Sequence, residues 1–224
     1  MALRHLAPLL LLAAAAAAPA ATLQFTITGA DGKPAADTVV LVTPTSPFTM
    51  PPPPEPALLV QKDSRFVPYV TVVPLGATVR FVNRDSYDHH VRSQPGGPLG
   101  SVAPAKQFEF RLARARGNVE ASAELKADVA GTVLLGCHLH NAMRGHLFIS
   151  TTPWFAITDD NGRASVAGLP EGQVDLRVWH PDQLIEQPAL RQQLAGTGNL
   201  ETRLNFTPRK RPPPRPQPKG EYDF

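Results

Sequence analysis

The sequence predicts an all-β protein, and three observations carry that prediction. Apolar and polar residues alternate over short runs, as in Leu23-Gln24-Phe25-Thr26-Ile27 and Phe108-Glu109-Phe110-Arg111-Leu112, the period of a half-buried strand. Proline occurs 25 times in 224 residues, about twice ordinary usage, which leaves few stretches long enough for a helix. Glycine- and proline-containing turns, among them Gly29-Ala30-Asp31-Gly32-Lys33-Pro34, Pro74-Leu75-Gly76 and Asp159-Asp160-Asn161-Gly162, separate the runs. A hydrophobic content of 42% is enough for a real core.

Residues 1–21 read as a cleaved signal peptide: Arg4 supplies the positive start, Leu9 to Ala18 the apolar centre, and Ala18-Pro19-Ala20 a small-residue cleavage site, with cleavage expected near residues 20–22. The run is short and alanine-rich for a membrane anchor. The expectation is export to the periplasm, with no stable membrane insertion. Residues 22–45 hold the strand from Leu23 and a short β-branched strand over Thr38 to Val42. Residues 46–57, with Pro51-Pro52-Pro53-Pro54, form an extended linker whose rings cannot join a ladder. Residues 58–150 carry strands at Val67 to Val73, Ala77 to Val82, Phe108 to Leu112, Leu125 to Val129 and Thr132 to Leu135, then the run Leu147-Phe148-Ile149; Arg114 to Ser122 reads as a loop.

In residues 151–207, Asn161-Gly162 gives a hairpin signal after Phe155-Ala156-Ile157-Thr158. Short strands follow to Trp179, a short helix is expected around Ala189 to Leu194, and a last strand over Leu204 to Phe206. Gly-Lys-Pro before Val39-Val40-Leu41-Val42, and the pattern after Trp154, resemble the carboxypeptidase-regulatory or transthyretin-like β-sandwiches. Each piece has too few strands to bury a face alone, so 22–45 and 151–207 are expected to complete one smaller sandwich around an inserted domain. Residues 208–224 read as a disordered basic proline-rich tail. Its five basic and two acidic residues account for the whole formal charge of +3, so the remainder is balanced and points to no nucleic-acid partner.

The chemistry concentrates at Cys137-His138-Leu139-His140-Asn141-Ala142-Met143. Cys137 is the one cysteine, so it cannot pair within the chain, and in an exported protein it is a bystander, a reactive thiol or a ligand. A thiolate, an imidazole three residues on and a thioether six residues on are three ligand types of a copper electron-transfer site, which needs a second imidazole from elsewhere. The pair His89-His90, following Phe81-Val82-Asn83-Arg84-Asp85, can supply it.

On these segments, together with Phe66-Val67-Pro68 and Thr152-Pro153-Trp154-Phe155-Ala156, residues 60 to 180 resemble the cupredoxins, nearest to the plastocyanin-like and methylamine-utilisation-type periplasmic blue-copper proteins. The resemblance implies a Greek-key β-sandwich over 58–150. It implies one copper ion held by His89, Cys137, His140 and Met143, the last as weak axial donor. It also implies an electron port at His140, with Leu139, Ala142 and Leu99 around it. The family often places an amide after the first histidine; here His90 stands there and competes with His89.

The expected function is thus a type 1 copper protein passing single electrons between redox partners, a monomer serving a c-type cytochrome or dehydrogenase and not an enzyme. Copper delivery without electron transfer is the alternative, favoured by the extra imidazoles of His90, His138 and His146; a structural protein with a vestigial site is a third. Zinc on Cys137, His138, His140 and His146 competes, but structural zinc sites use more thiolates. A Cys137–His140 or Cys137–His89 nucleophilic dyad lacks an oxyanion loop and gives Met143 no role. His138 is expected to point to solvent, His146 to lie at the surface beside the site, and His180 to be a packed core residue. Asp85 and Asp88 read as loop carboxylates with no partner.

Overall fold

A computed structural model describes residues 20–117 and 119–211. They form sixteen strands: β1 (Ala20–Thr28), β2 (Val39–Pro44), β3 (Ala57–Lys62), β4 (Arg65–Val67), β5 (Val70–Pro74), β6 (Thr78–Asn83), β7 (His89–Gln94), β8 (Glu109–Leu112), β9 (Ala121–Lys126), β10 (Gly131–Cys137), β11 (Arg144–Ser150), β12 (Trp154–Ile157), β13 (Arg163–Pro170), β14 (Gly172–Trp179), β15 (Leu190–Leu194) and β16 (Thr197–Arg203). One 3-10 turn, Pro98–Gly100, is the sole helical element among the described residues. No helix among them is long and apolar enough to cross a membrane. The protein is all-β.

The strands make four sheets. Two of them, β5-β11-β10-β7-β8 and β4-β3-β6-β9, face each other. Their inward residues (Val79 and Phe81 of β6, Val91 of β7, Val133 and Leu135 of β10, Leu147 and Ile149 of β11) fill one core, the expected result of alternating side chains on paired sheets. The other two, β13-β1-β16 and β12-β2-β14-β15, close over Leu23, Phe25, Ile27, Val40, Val42, Val166, Leu169, Val174 and Leu176. Residues on both sides of the first sandwich in sequence thus build the second, with β1 paired antiparallel to β13 and parallel to β16.

Strand β2 explains why Val39-Val40-Leu41-Val42 is apolar throughout. Val40 and Val42 enter the second core, while Val39 and Leu41 point the other way, into a third cluster with Val70, Val72, Phe148 and Trp179 that joins the two sandwiches. A strand covered on both faces loses the polar half of the alternation.

The structure corrects several readings. Ala189 to Leu194 is no helix: Leu190–Leu194 is edge strand β15, paired antiparallel to β14 from Gly172↔Leu194 to Leu176↔Leu190, so sheet pairing overrides local helix preference. The last strand is Thr197–Arg203 and not Leu204 to Phe206; its sequence is polar because it alternates between exposed and half-buried positions, and Leu204 is buried just beyond it.

The Asn161-Gly162 turn forms, with Asp159 accepting from the Asn161 and Arg163 amides at 2.9 and 2.8 Å. It is not a hairpin, because β12 and β13 go to different sheets. The run Val67 to Val73 is broken at Pro68, where the chain leaves β4 in one sheet and enters β5 in the facing one.

Of the signal-peptide assignment, residues 1–19 lie outside the described residues, and Ala20 and Ala21 belong to β1. Of the tail, residues 212–224 lie outside them. Residues 208–211 are held against the second sandwich, by Arg209 on Asp182 at 2.6 Å and Arg211 on Asp37 at 2.5 Å.

Candidate metal centre

Strands β7 and β10 lie side by side, with Cys137 opposite Val91, so the start of one meets the end of the other. Alternation then turns His89 and Cys137 into the core, at 0% and 1% exposure. After Cys137 the chain makes a tight loop to β11. The Met143 amide donates to the His140 carbonyl at 2.9 Å, and the Arg144 guanidinium donates to the carbonyls of Asn141 and Met143 at 2.8 and 2.9 Å. The loop folds His140 back over Cys137 and sinks Met143 into the same core cluster as the thiol, at 1% exposure.

Nδ1 of His140 lies 3.5 Å from Cys137 Sγ, and Nδ1 of His89 lies 3.7 Å from it. The three donor atoms fall within 4.8 Å of one another. Bonds of about 2.1 Å to nitrogen and about 2.3 Å to sulfur, opened to a trigonal or tetrahedral angle, put the two donors roughly 3.6–3.8 Å apart. The donors therefore sit close to the separation a shared cation requires. The rings of His89 and His140 are 4.7 Å apart, and Tyr87 packs edge-on to His89 and at a tilt to His140.

Electrostatics prepare the thiol. Burial by itself raises Cys137; the hydrogen bonds from His140 and His89 and from the backbone amides of His90 and Leu139 outweigh it and bring the thiol down to about 5. The His90 amide donates to Sγ at 3.3 Å. A thiolate at neutral pH is the form that ligates metal.

Asp85, read from sequence as unpartnered, is the residue that reasoning missed. Its Oδ2 accepts from His89 Nε2 at 2.8 Å and from the Ser64 amide at 3.1 Å, while Oδ1 accepts from the Asp63 amide at 2.6 Å. With Nε2 directed to Asp85, Nδ1 of His89 faces Sγ, where it donates to the thiolate and, on losing that proton, would offer its lone pair to a cation, the usual arrangement by which a carboxylate orients a ligating imidazole. Burial opposes ionisation of Asp85, but the His89, Ser64 and Asp63 hydrogen bonds hold it below the usual carboxylate range; burial likewise lowers His89, and Asp85 and Cys137 outweigh it upward.

Asn83, fully buried, braces this turn through its amide, which donates to the carbonyls of Tyr87 and Ala113 at 2.8 and 2.9 Å, while its Oδ1 accepts from the Asp85 amide at 2.9 Å. The signal was available in the sequence as Asn83-Arg84-Asp85 with a carboxylate four residues before His89.

The remaining histidines go elsewhere. His90 and His138 project from the opposite face of the sheet, toward Glu109. His146 is not beside the site: it packs between the sandwiches on Tyr69 and Trp179, with Nε2 3.2 Å from the Tyr69 hydroxyl. His180 is buried against Phe206. A zinc set of Cys137, His138, His140 and His146 does not assemble. Asp88 is paired with Arg111 at 2.7 Å. Leu139 is 53% exposed and Ala142 exposed on the loop, whereas Leu99 stands on the separate excursion between β7 and β8.

No family model matches the chain, and no curated protein matches it. Solved structures similar to it include the copper-containing nitrite reductase from Thermus scotoductus SA-01, at 19% identity and a TM-score of 0.37. That likeness covers 48% of this chain and 25% of the other, so the chain spans about a quarter of that enzyme's length. A purple cupredoxin from Nitrosopumilus maritimus is similar at 18% identity and a TM-score of 0.34, over 42% of this chain and 99% of that one. A Cu(I) form of an amicyanin variant is similar at 21% identity and a TM-score of 0.34, over 49% of this chain and 98% of that one.

Proposed function

We propose that the chain is a single-electron carrier of the type 1 copper kind, holding one copper ion between His89, Cys137 and His140 with Met143 as weak axial donor. The observation that supports this most is the convergence of two imidazole Nδ1 atoms on one low-pKa thiol, at 3.5 and 3.7 Å, in a buried pocket. When bound, copper supplies a one-electron couple between Cu(II) and Cu(I).

The chain's own residues supply the rest. Asp85 fixes the tautomer and direction of His89. The His90 amide hydrogen-bonds the sulfur, which tunes how much charge the thiolate gives up. Strands β7 and β10 hold two donors rigidly, so the pocket changes little between charge states. His140, half-buried beneath exposed Leu139 and Ala142, is the ring through which the electron reaches a docked partner. The partner class is a c-type cytochrome or a dehydrogenase in the periplasm, meeting the monomeric carrier in a small transient contact.

The test is the visible spectrum of the copper-reconstituted chain. A strong thiolate-to-copper absorption, abolished in Cys137→Ser, is expected. A colourless copper complex overturns the proposal, and a coloured one that fails to cycle reversibly by voltammetry assigns the chain to copper delivery.

A further inference from the structure

The same strand pair that turns two donors inward must turn their neighbours outward, since side chains alternate along a strand. His90 follows His89, and His138 follows Cys137. The His138 amide donates to the His90 carbonyl at 3.0 Å, which fixes the two residues side by side on the outer face, with ring centroids 4.8 Å apart. Strand β8 lies next to β7 in a register that sets Glu109 opposite Arg92. From there its carboxylate reaches diagonally to both rings: Oε1 is 2.6 Å from His90 Nε2 and 3.5 Å from His138 Nε2. All three donor atoms lie within 4.8 Å of one another.

We propose that His90, His138 and Glu109 form a second metal site, on the outer face of the sheet, that takes a borderline divalent cation such as zinc(II). Three features support this over an ordinary ion pair. Both imidazoles present the same nitrogen, Nε2, to one carboxylate oxygen, whereas a plain ion pair needs only one of them. Two imidazoles and one carboxylate are a donor set that suits zinc and its neighbours in the first transition row, and they leave positions open for water. Of the two arginines on these strands, Arg111 donates to the Asp88 carboxylate at 3.1 and 2.7 Å, and the guanidinium of Arg92, opposite Glu109, lies 3.2 Å from the Gln94 side-chain amide. The side chains are one-third to one-half exposed, so a hydrated ion enters without unfolding anything. This site shares no donor atom with the inner one, although each of its histidines is covalently next to an inner donor.

The test is equilibrium dialysis of the full chain, preloaded with one equivalent of copper, against zinc(II), with bound metals counted by mass spectrometry. One further equivalent of zinc is expected with copper retained. Its affinity is expected to drop at least about tenfold in Glu109→Gln and in His138→Asn. Equal zinc affinity in the parent and both variants overturns the site, and so does zinc that enters only by displacing copper. The same titration on Cys137→Ala separates this inference from the carrier proposal. If the chain takes no copper yet Cys137→Ala still binds zinc in a manner dependent on Glu109 and His138, the outer site stands and the inner reading falls. Loss of that dependence in both backgrounds removes the outer site alone.

Discussion

Asp85 orients the ring of His89 without touching the Cys137 sulfur. Three donors converge on its two oxygens: His89 Nε2 and the amides of Asp63 and Ser64. Asp85→Asn replaces one acceptor with an NH2 group that must face a donor. The expected result is a loss of about 1–3 kcal/mol in stability and a roughly 10–100-fold weaker hold on copper, read by denaturant melts and competitive copper titration. His146 makes a separate prediction. Burial between the sandwiches holds its imidazole down at about 4. The unfolded chain takes up that proton nearer pH ~6.5, so between these values it binds more protons than the native state. Stability is therefore complete above about pH 6.5 and falls by roughly 2–3 kcal/mol as pH drops toward ~4. His146→Phe keeps an aromatic ring between Tyr69 and Trp179 and should flatten that part of the pH profile of urea midpoints.

The convergence of His89, Cys137 and His140 was legible because Cys137 and His140 lie three positions apart and His89 follows a distinctive Asn-Arg-Asp. Asp85 was not, because its partners come together only when the turn after β6 folds back on β7 and on the β3–β4 connection. Nor does spacing tell His89 from His90; only strand alternation, given the pairing of β7 with β10, sends one inward and one outward.

At the level of elements, local pattern succeeded where each strand buries one face and failed where neighbours decide. Leu23 to Ile27 and Phe108 to Leu112 alternate as a half-buried strand must. Leu190–Leu194 carries helix-compatible residues yet is an edge strand, since β14 offers it a ladder. The turn at Asn161-Gly162 was visible, but its two strands separate into facing sheets, which no short-range signal encodes. That turn is also tightly fitted. Gly162 has φ of +70°, and an added Cβ would collide with the Ile27 carbonyl oxygen of β1. The Ile27 amide meanwhile donates to the Gly162 carbonyl at 2.8 Å. Gly162→Ala should cost about 2 kcal/mol or more, through both backbone strain and displacement of β1. Thermal melts should register this with the copper spectrum unchanged, because the damage lies in the other sandwich.

For the whole molecule, the two sandwiches are joined by the apolar layer of Val39, Leu41, Val70, Val72, Phe148 and Trp179. The all-β class was legible from composition and periodicity; the mutual arrangement of the sandwiches was not, because the continuous apolar run of β2 reads the same whether one or two cores cover it. The loop from Cys137 to Met143 lies outside this layer and keeps Leu139 and Ala142 in solvent. Leu139→Glu places a charge on the exposed surface that the proposed carrier role would use for docking, without altering any candidate donor. It should slow electron exchange with a partner about fivefold or more, measured by stopped-flow, while the visible band stays in place.

The interleaved chain order has a consequence for biogenesis. Strand β1 leaves the ribosome early, but its ladder partners, β13 and the parallel β16, are made only after every strand of the first sandwich. Since domains tend to fold as they are completed, the inserted sandwich can mature while β1 and β2 wait as unpaired edges, and the second sandwich closes last, when its final strands join the first.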